Sequence, residues 1–248
     1  MRRVDVDDLR AMPHGMPAYS TLLFDLDHTL LDSDGSEALA FHHTLAHHGV
    51  DDPSLHIAAY QRINRALWSQ VERQEMSPLA LRSARFVQLV EAIGLDVDPH
   101  RLADFYVTAL GDHGELYAGA LDVVAQLAEH ATLALVTNGL SEVQRRRLTR
   151  LGLDRHFTAV VISAEVNAAK PAPAIFDHAV RQLAAAGHVV DKARTLMIGD
   201  NLVADIGGGR GFGVATCWYN PHKKVRGSDD VITHEVERLD ELVQILGV

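Results

Sequence analysis

The chain has 248 residues, with 23 Lys+Arg against 33 Asp+Glu and 15 His, a formal net charge of −10. At 47% hydrophobic and 23% charged, with 18 Gly and 8 Pro, its composition is that of a globular protein and excludes collagen-like and low-complexity classes. A single cysteine, Cys217, rules out an internal disulfide framework and a multi-cysteine zinc site, and the acidic total disfavours nucleic-acid polymers and anionic membranes, whose phosphates it repels.

The first stretch, Met1 to Ser20, carries Arg2, Arg3, Asp5, Asp7, Asp8 and Arg10 and lacks the apolar run of a signal peptide. No later run approaches the roughly 18 apolar residues of a spanning helix, so a cytoplasmic location is expected. Thr21–Phe24 then reads as a buried strand closed by Asp25-Leu26-Asp27. Two carboxylates two residues apart, where a strand curls into a loop, can converge on one point. One can bind or attack while the other handles a proton. The plain alternative is an Asp-rich turn with Thr29 as a helix cap; His28, between Asp27 and Thr29, is given no role.

From about Ser36 to Leu110 there is helical periodicity and no convincing strand. Apolar residues recur every three or four positions in Ile57, Tyr60, Ile63, Leu67 and Val71, and again in Leu81, Ala84, Phe86, Leu89 and Ile93. The reading is an inserted helical unit over 36–110, with 1–35 and 111–248 forming the other unit. His42, His43, His47 and His48 include i, i+4 pairs, but no carboxylate or cysteine completes a metal set, so they read as a solvated helix face.

Beyond the insertion, strands and helices alternate. The helix Leu121–Glu129 leads to the strand Thr132–Thr137, which ends in Thr137-Asn138-Gly139, a hydroxyl and an amide able to donate to an anionic oxygen, or simply a turn capped by Ser141. The helix Glu142–Leu151 carries Arg145, Arg146, Arg147 and Arg150, read as a solvated basic face. After the strand Ala159–Ser163, Lys170-Pro171-x-Pro173 sets a cation in a stiffened loop before the helix Ala174–Ala186. The strand Thr195–Gly199 closes in Asp200, followed by Asn201 and Asp205 on a predicted helix Asn201–Gly209. Two further carboxylates at an apolar strand end are costly unless a cation is bound.

The glycines of Gly207–Gly213 fit neither a P-loop nor a G-x-G-x-x-G register and read as a helix end turning into the strand Gly213–Cys217. Cys217, Trp68 and Trp218 read as packing residues, with the two tryptophans the better placed for substrate contact, and Lys223, Lys224 and Arg226 as a surface loop. The alternation predicts an α/β fold with a mainly parallel sheet, whose strand C-termini share one edge.

Four acids, a hydroxyl, an amide and a lysine, each at a predicted strand end, suit phosphoryl transfer through an aspartyl-phosphate with Mg²⁺. In the order LLFDLDHTLLD, ALVTNG, AKPAPAIF and MIGDNLVAD, these segments resemble the four motifs of the haloacid dehalogenase-like hydrolase superfamily, from about Tyr19 onward. The resemblance implies a Rossmann-like parallel-sheet core with an inserted all-helical cap. It implies that Asp25 is the nucleophile and a Mg²⁺ ligand, and that Asp27 is the general acid and base, its backbone carbonyl on the metal. Thr29 would hold Asp27. Thr137 and Asn138 would bind the phosphoryl group, Lys170 would offset charge around Asp25, and Asp200 would ligate Mg²⁺ with Asp205 supporting it or Lys170.

In the dehalogenases themselves the position of Asp27 is not an acid, because halide leaves without a proton. An alkoxide needs one, so Asp27 points to a phosphate ester. Leu67-Trp68, Glu72, Arg85-Phe86, Gly199–Asp205 and Thr216–Asn220 resemble the pyrimidine 5′-nucleotidase branch, which makes a nucleoside 5′-monophosphate the expected substrate. Phosphoglycolate and sugar phosphatases, a β-phosphoglucomutase-like mutase and a 2-haloacid dehalogenase stay open beside it. A receiver-type signalling module shares the strand-end acids but is half this length and has no insertion. The expected partner is a small phosphorylated metabolite, with the chain a monomer or homodimer.

Overall fold

Four apolar residues make the central strand, β1 (Thr21–Phe24), in the computed structural model, which describes residues 17–227 and 231–248. The charged stretch ahead of it, up to Met16, lies outside the described residues. Successive side chains of a strand point to opposite faces. Accordingly Leu22 and Phe24 join one buried cluster, with Leu135, Ile198 and Cys217, while Leu23 joins another, with Val136, Phe176 and Met197. A strand buried on both faces reads as a continuous apolar run, which is why four residues are enough to reveal it.

The chain then leaves the sheet. Helices α1 (Ser33–His47), α2 (Ile57–Glu72), α3 (Pro78–Ile93) and α4 (Pro99–Asp112) follow one another before α5 (Ala120–Ala128) leads into β2 (Thr132–Thr137). Their boundaries are written locally: Ser77 and Asp98 accept the free N–H groups at the starts of α3 and α4, each with proline in first position, and Gly94 closes α3 at φ 66°. The periodic apolar residues Tyr60, Leu67, Leu81, Phe86, Leu89 and Tyr106 pack into one cluster, joined at its edge by Leu140, Val143 and Ala169 from beyond β2 and β3.

The remaining elements are α6 (Ser141–Arg150), β3 (Ala159–Ile162), α7 (Ser163–Val166), α8 (Pro173–Ala185), β4 (Thr195–Gly199), α9 (Gly208–Phe212), β5 (Ala215–Tyr219), β6 (His234–Val236) and α10 (Glu241–Leu246). The sheet is parallel throughout, in the order β3-β2-β1-β4-β5-β6. From β1 the chain runs outward one way to β2 and β3 and returns through β4 to the other side. The connections diverge beyond the C-terminal ends of β1 and β4, and such a switch point opens a crevice for ligands. Among the described residues no helix is long and apolar enough to cross a membrane.

Two elements differ from expectation. The stretch after Asn201 is a wide π-type turn, Leu202–Gly207, capped by the Asn201 side chain, which accepts from the N–H groups of Val203 and Ala204. The glycines beyond it build α9 as well as end it. A Cβ on Gly209 would lie 2.9 Å from Met197, so the missing side chain lets this helix lie flat on the sheet. Gly213, at φ 87°, ends α9 and delays the fifth strand, so β5 begins at Ala215 and runs to Tyr219 where Gly213–Cys217 was expected. The three-residue β6 is too short to carry an alternation signal.

Candidate active site

The backbone of Asp25 continues β1 by one step, its N–H donating to the Ile198 carbonyl at 2.9 Å, and this puts its carboxylate over the crevice. Lys170 reaches the same point from the loop before α8. Its Nζ lies 2.5 Å from Asp25 Oδ1 and 2.6 Å from Asp205 Oδ1, and the lysine is 2% exposed. The loop is clasped to the end of β2 by Asn138, whose Oδ1 accepts from the Lys170 N–H at 2.8 Å and whose Nδ2 donates to the Lys170 carbonyl at 3.0 Å. Asn138 thus holds Lys170 with its side-chain amide and also lines the crevice, where it was expected to bind phosphoryl oxygen. Thr137 is wholly buried and does not line the crevice; its Oγ1 accepts from Gln144 at 2.9 Å.

The turn after β1 folds back sharply, the N–H groups of Thr29 and Leu30 both reaching the Leu26 carbonyl. This brings Thr29 under Asp25 and corrects its expected partner. Thr29 Oγ1 donates to Asp25 Oδ2 at 3.2 Å and accepts from the Asp200 N–H at 3.2 Å; it does not hold Asp27.

Asp27 is held by other residues. Ser33 Oγ (2.6 Å) and Arg147 Nη1 (2.9 Å) donate to its Oδ1, and Gln144 Nε2 (2.6 Å) donates to its Oδ2. Arg147 thus departs from the solvated face assigned to it: it is 3% exposed, while Arg145 and Arg146 on the same helix are exposed and paired with Glu165 and Asp112. Its other donors reach the Leu110 carbonyl at 3.0 Å and Ser36 Oγ at 2.5 Å, at the ends of α4 and α1. Gln144 and Arg147 stand three residues apart, one turn of α6. That i, i+3 spacing is present in the sequence but hidden in a run of arginines.

The two acids of this turn have opposite electrostatics. Burial pushes the Asp25 carboxyl up to about 7, with Lys170 pulling it down and Asp205 and Asp27 adding repulsion. Burial opposes the charge of Asp27 as well, but Arg147, Ser33 and Gln144 outweigh it and hold this carboxyl below its usual range. Asp200 is pushed up to about 6, first by burial and then by Asp25. One oxygen from each of Asp25, Asp200 and Asp205 lies within 4.8 Å of the others. Asp27's carboxylate is not in this group. Lys170 is the one buried lysine against the three, so negative charge is left over, and the donors are hard carboxylate oxygens of the kind that suit Mg²⁺.

The crevice deepens into a cavity of about 350 Å³ between the sheet edge and the inserted helices. His28 lines it and is raised above its usual value: burial lowers it, but Asp200 and Asp27 prevail. The helices contribute Glu37, Asn64, Trp68, Glu72 and Arg85, and Glu72 accepts from Asn201 Nδ2 at 2.7 Å, bridging to the residue beside Asp200. Trp68 lines the cavity, whereas Trp218 is buried away from it and donates its indole N–H to the Asp200 carbonyl at 2.8 Å. Cys217 is in the core and its thiol is raised by burial. The histidines of α1 stay on a surface: His43 faces His113 at 2.8 Å and His47 stacks on Phe105.

A family model described as haloacid dehalogenase-like hydrolase matches residues 19–213. The pyrimidine 5′-nucleotidase PynA of Streptococcus pneumoniae is 37% identical over 229 residues, covering 92% of this chain and 95% of the relative. The pyrimidine 5′-nucleotidase YjjG of Escherichia coli is 34% identical over 225 residues, covering 91% and 96%. Among solved structures, the magnesium-bound HAD-hydrolase YfnB of Bacillus subtilis, for which an interdomain movement is described, superposes with a TM-score of 0.84 at 33% identity, covering 93% and 99%. The chain belongs to the haloacid dehalogenase-like hydrolase family.

Proposed function

We propose that this haloacid dehalogenase-like hydrolase is a Mg²⁺-dependent phosphomonoesterase acting on pyrimidine nucleoside 5′-monophosphates. The observation that carries the reaction class is the pair Asp25 and Asp27: one carboxylate locked against Lys170 beneath the crevice, the other two residues on within reach of the same cavity. The substrate class is supported by the two nucleotidase relatives and by a cavity whose far wall is made by helices α1 to α3.

In this reading Asp25 attacks phosphorus, the bond from phosphorus to the ester oxygen breaks, and Asp27 gives its proton to the leaving alkoxide. Water then gives a proton to Asp27 and attacks the phosphoryl group, the bond to Asp25 breaks, and phosphate departs. With three donors on its oxygens, Asp27 here is in the base form of that cycle. Lys170 favours the ionised form of Asp25 and orients it, and Asn138 keeps Lys170 in place. Asp25, Asp200 and Asp205 are the residues that would hold Mg²⁺, which supplies charge for the phosphate oxygens. We read the helices from α1 to α4 as the cap that closes over the substrate.

Phosphate release from UMP, dTMP, ribose 5-phosphate and phosphoglycolate, measured with Mg²⁺ for the native chain and for Asp25→Asn, tests this. The nucleotides are expected to lead the panel, with the variant inactive on all four. A preference for the sugar phosphate sinks the substrate class, and full activity of Asp25→Asn sinks the reaction class.

A further inference from the structure

Among the polar side chains that the helices place on the cavity wall, three from three different helices meet: Glu37 from α1, Asn64 from α2 and Arg85 from α3. They form a row. Asn64 Nδ2 donates to both Glu37 oxygens, at 3.0 and 3.1 Å, and Asn64 Oδ1 accepts from Arg85 Nη1 at 3.4 Å. Arg85 is 2% exposed, its guanidinium 4.5 Å from the centroid of the Tyr106 ring. Nε and Nη2 of Arg85 make no well-formed hydrogen bond among the described residues, the Tyr60 hydroxyl being the polar group beside the guanidinium. Leaving charged donors poorly paired in a buried place is expensive, and a protein keeps such an arrangement where a ligand completes it.

The chemistry of the row specifies its ligand. A guanidinium fork donates and accepts nothing; a carboxylate accepts and donates nothing. The complement is a flat group presenting an acceptor oxygen beside an N–H donor. A sugar or glycolate hydroxyl plays both roles and needs no such separation. The carbonyl and ring N–H of uracil or thymine supply it, and Trp68 on the same wall offers a face for the ring.

We infer that Arg85, Asn64 and Glu37 form the base-recognition subsite, Arg85 donating to a carbonyl oxygen of a uracil or thymine and Glu37 accepting from its ring N3–H. The inference rests on the nucleotidase reading above. Asn64 is the positioning residue that spaces the other two.

The test compares kcat/KM for UMP, N3-methyl-UMP, a UMP analogue lacking the 4-oxo group, and ribose 5-phosphate, in the native chain, Arg85→Met and Glu37→Gln. Loss of a charged hydrogen bond predicts that Arg85→Met lowers the ratio of UMP over ribose 5-phosphate by about 30-fold. N3-methylation is expected to cost the native enzyme about tenfold or more and to cost Glu37→Gln distinctly less. Equal loss on UMP and ribose 5-phosphate in Arg85→Met, with UMP still preferred by the native enzyme, overturns the subsite alone. A native enzyme with no preference for UMP over ribose 5-phosphate overturns the nucleotidase reading and the subsite with it. If Arg85→Met does not fold, the analogues decide on the native chain, and equal use of UMP, N3-methyl-UMP and the 4-deoxo analogue overturns the assignment.

Discussion

The sheet edge and the inner wall of the helices face each other across one cavity, yet they treat charge in opposite ways. At the sheet edge the reacting groups are engaged: Lys170 bridges Asp25 and Asp205, and Arg147, Ser33 and Gln144 saturate Asp27, while the Asp200 carboxylate stays beside the first two as the third of the converging acids. On the helical wall Arg85 keeps two donors without a well-formed hydrogen bond. A site whose reacting groups are preorganised and whose recognition groups await a ligand separates two tasks. In the proposed reading the edge acts on a phosphate ester of any kind and the wall selects among esters. Changes at the edge should therefore lower turnover of all substrates in common, while changes on the wall should shift ratios between substrates.

The largest effect expected is that of Lys170→Met. Removing the cation leaves Asp25 and Asp205 buried without their partner, which costs on the order of 3–5 kcal/mol of stability and reduces turnover by more than about a hundredfold on every substrate. Chemical denaturation and phosphate release measure the two. A variant that lost activity on nucleotides alone would break the division between edge and wall.

Arg147→Met sharpens it from the other side. Arg147 ties Asp27 to Ser36 and to the Leu110 carbonyl, so its loss frees the proton-handling acid from a fixed geometry. A fall in kcat of roughly a hundredfold, common to UMP and ribose 5-phosphate, is expected from such misplacement. Arg145→Met, two residues earlier but exposed and paired with Glu165, should leave kcat unchanged. Parallel losses in the two variants would return Arg147 to the solvated face on which its charged neighbours lie.

That contrast shows how much of the site is legible in the sequence. The strands β1, β2 and β4 and the acids closing β1 and β4 lie in short continuous segments, so Asp25, Asp27, Asp200 and Asp205 stand out in the order of residues, whereas Lys170 alone reads as a surface lysine and joins them only through the resemblance of the four motifs. Thr29 is found in the same way but with the wrong partner, because the direction of a five-residue turn is set by backbone hydrogen bonds that composition does not encode. Arg147 and Gln144 stay hidden because an arginine run looks the same whether one member faces inward or none does. Glu37, Asn64 and Arg85 come from three helices and meet only through packing, so no local spacing announces them.

The smallest effect concerns the metal and is again confined to the edge. With Asp25 pushed up to about 7 and Asp200 up to about 6, mainly by burial, the folded metal-free protein holds more protons than the unfolded chain between about pH 4 and pH 7. Its stability should then fall as pH rises through that window, because ionising these carboxylates costs more in the fold than in water. Mg²⁺ held by the ionised forms would offset that cost, so the rise in Tm on adding Mg²⁺ should be larger at pH 8 than at pH 5.5. A difference of about 1 kcal/mol corresponds to roughly 2–4 °C in a chain of this size. Asp200→Asn should remove most of the pH-dependent increment, since it deletes one of the three converging carboxylates, whereas Glu37→Gln on the opposite wall should retain it. A Mg²⁺ shift of equal size at both pH values would show that these carboxylates are not where the ion binds. The electrostatic asymmetry between edge and wall would then need another cause.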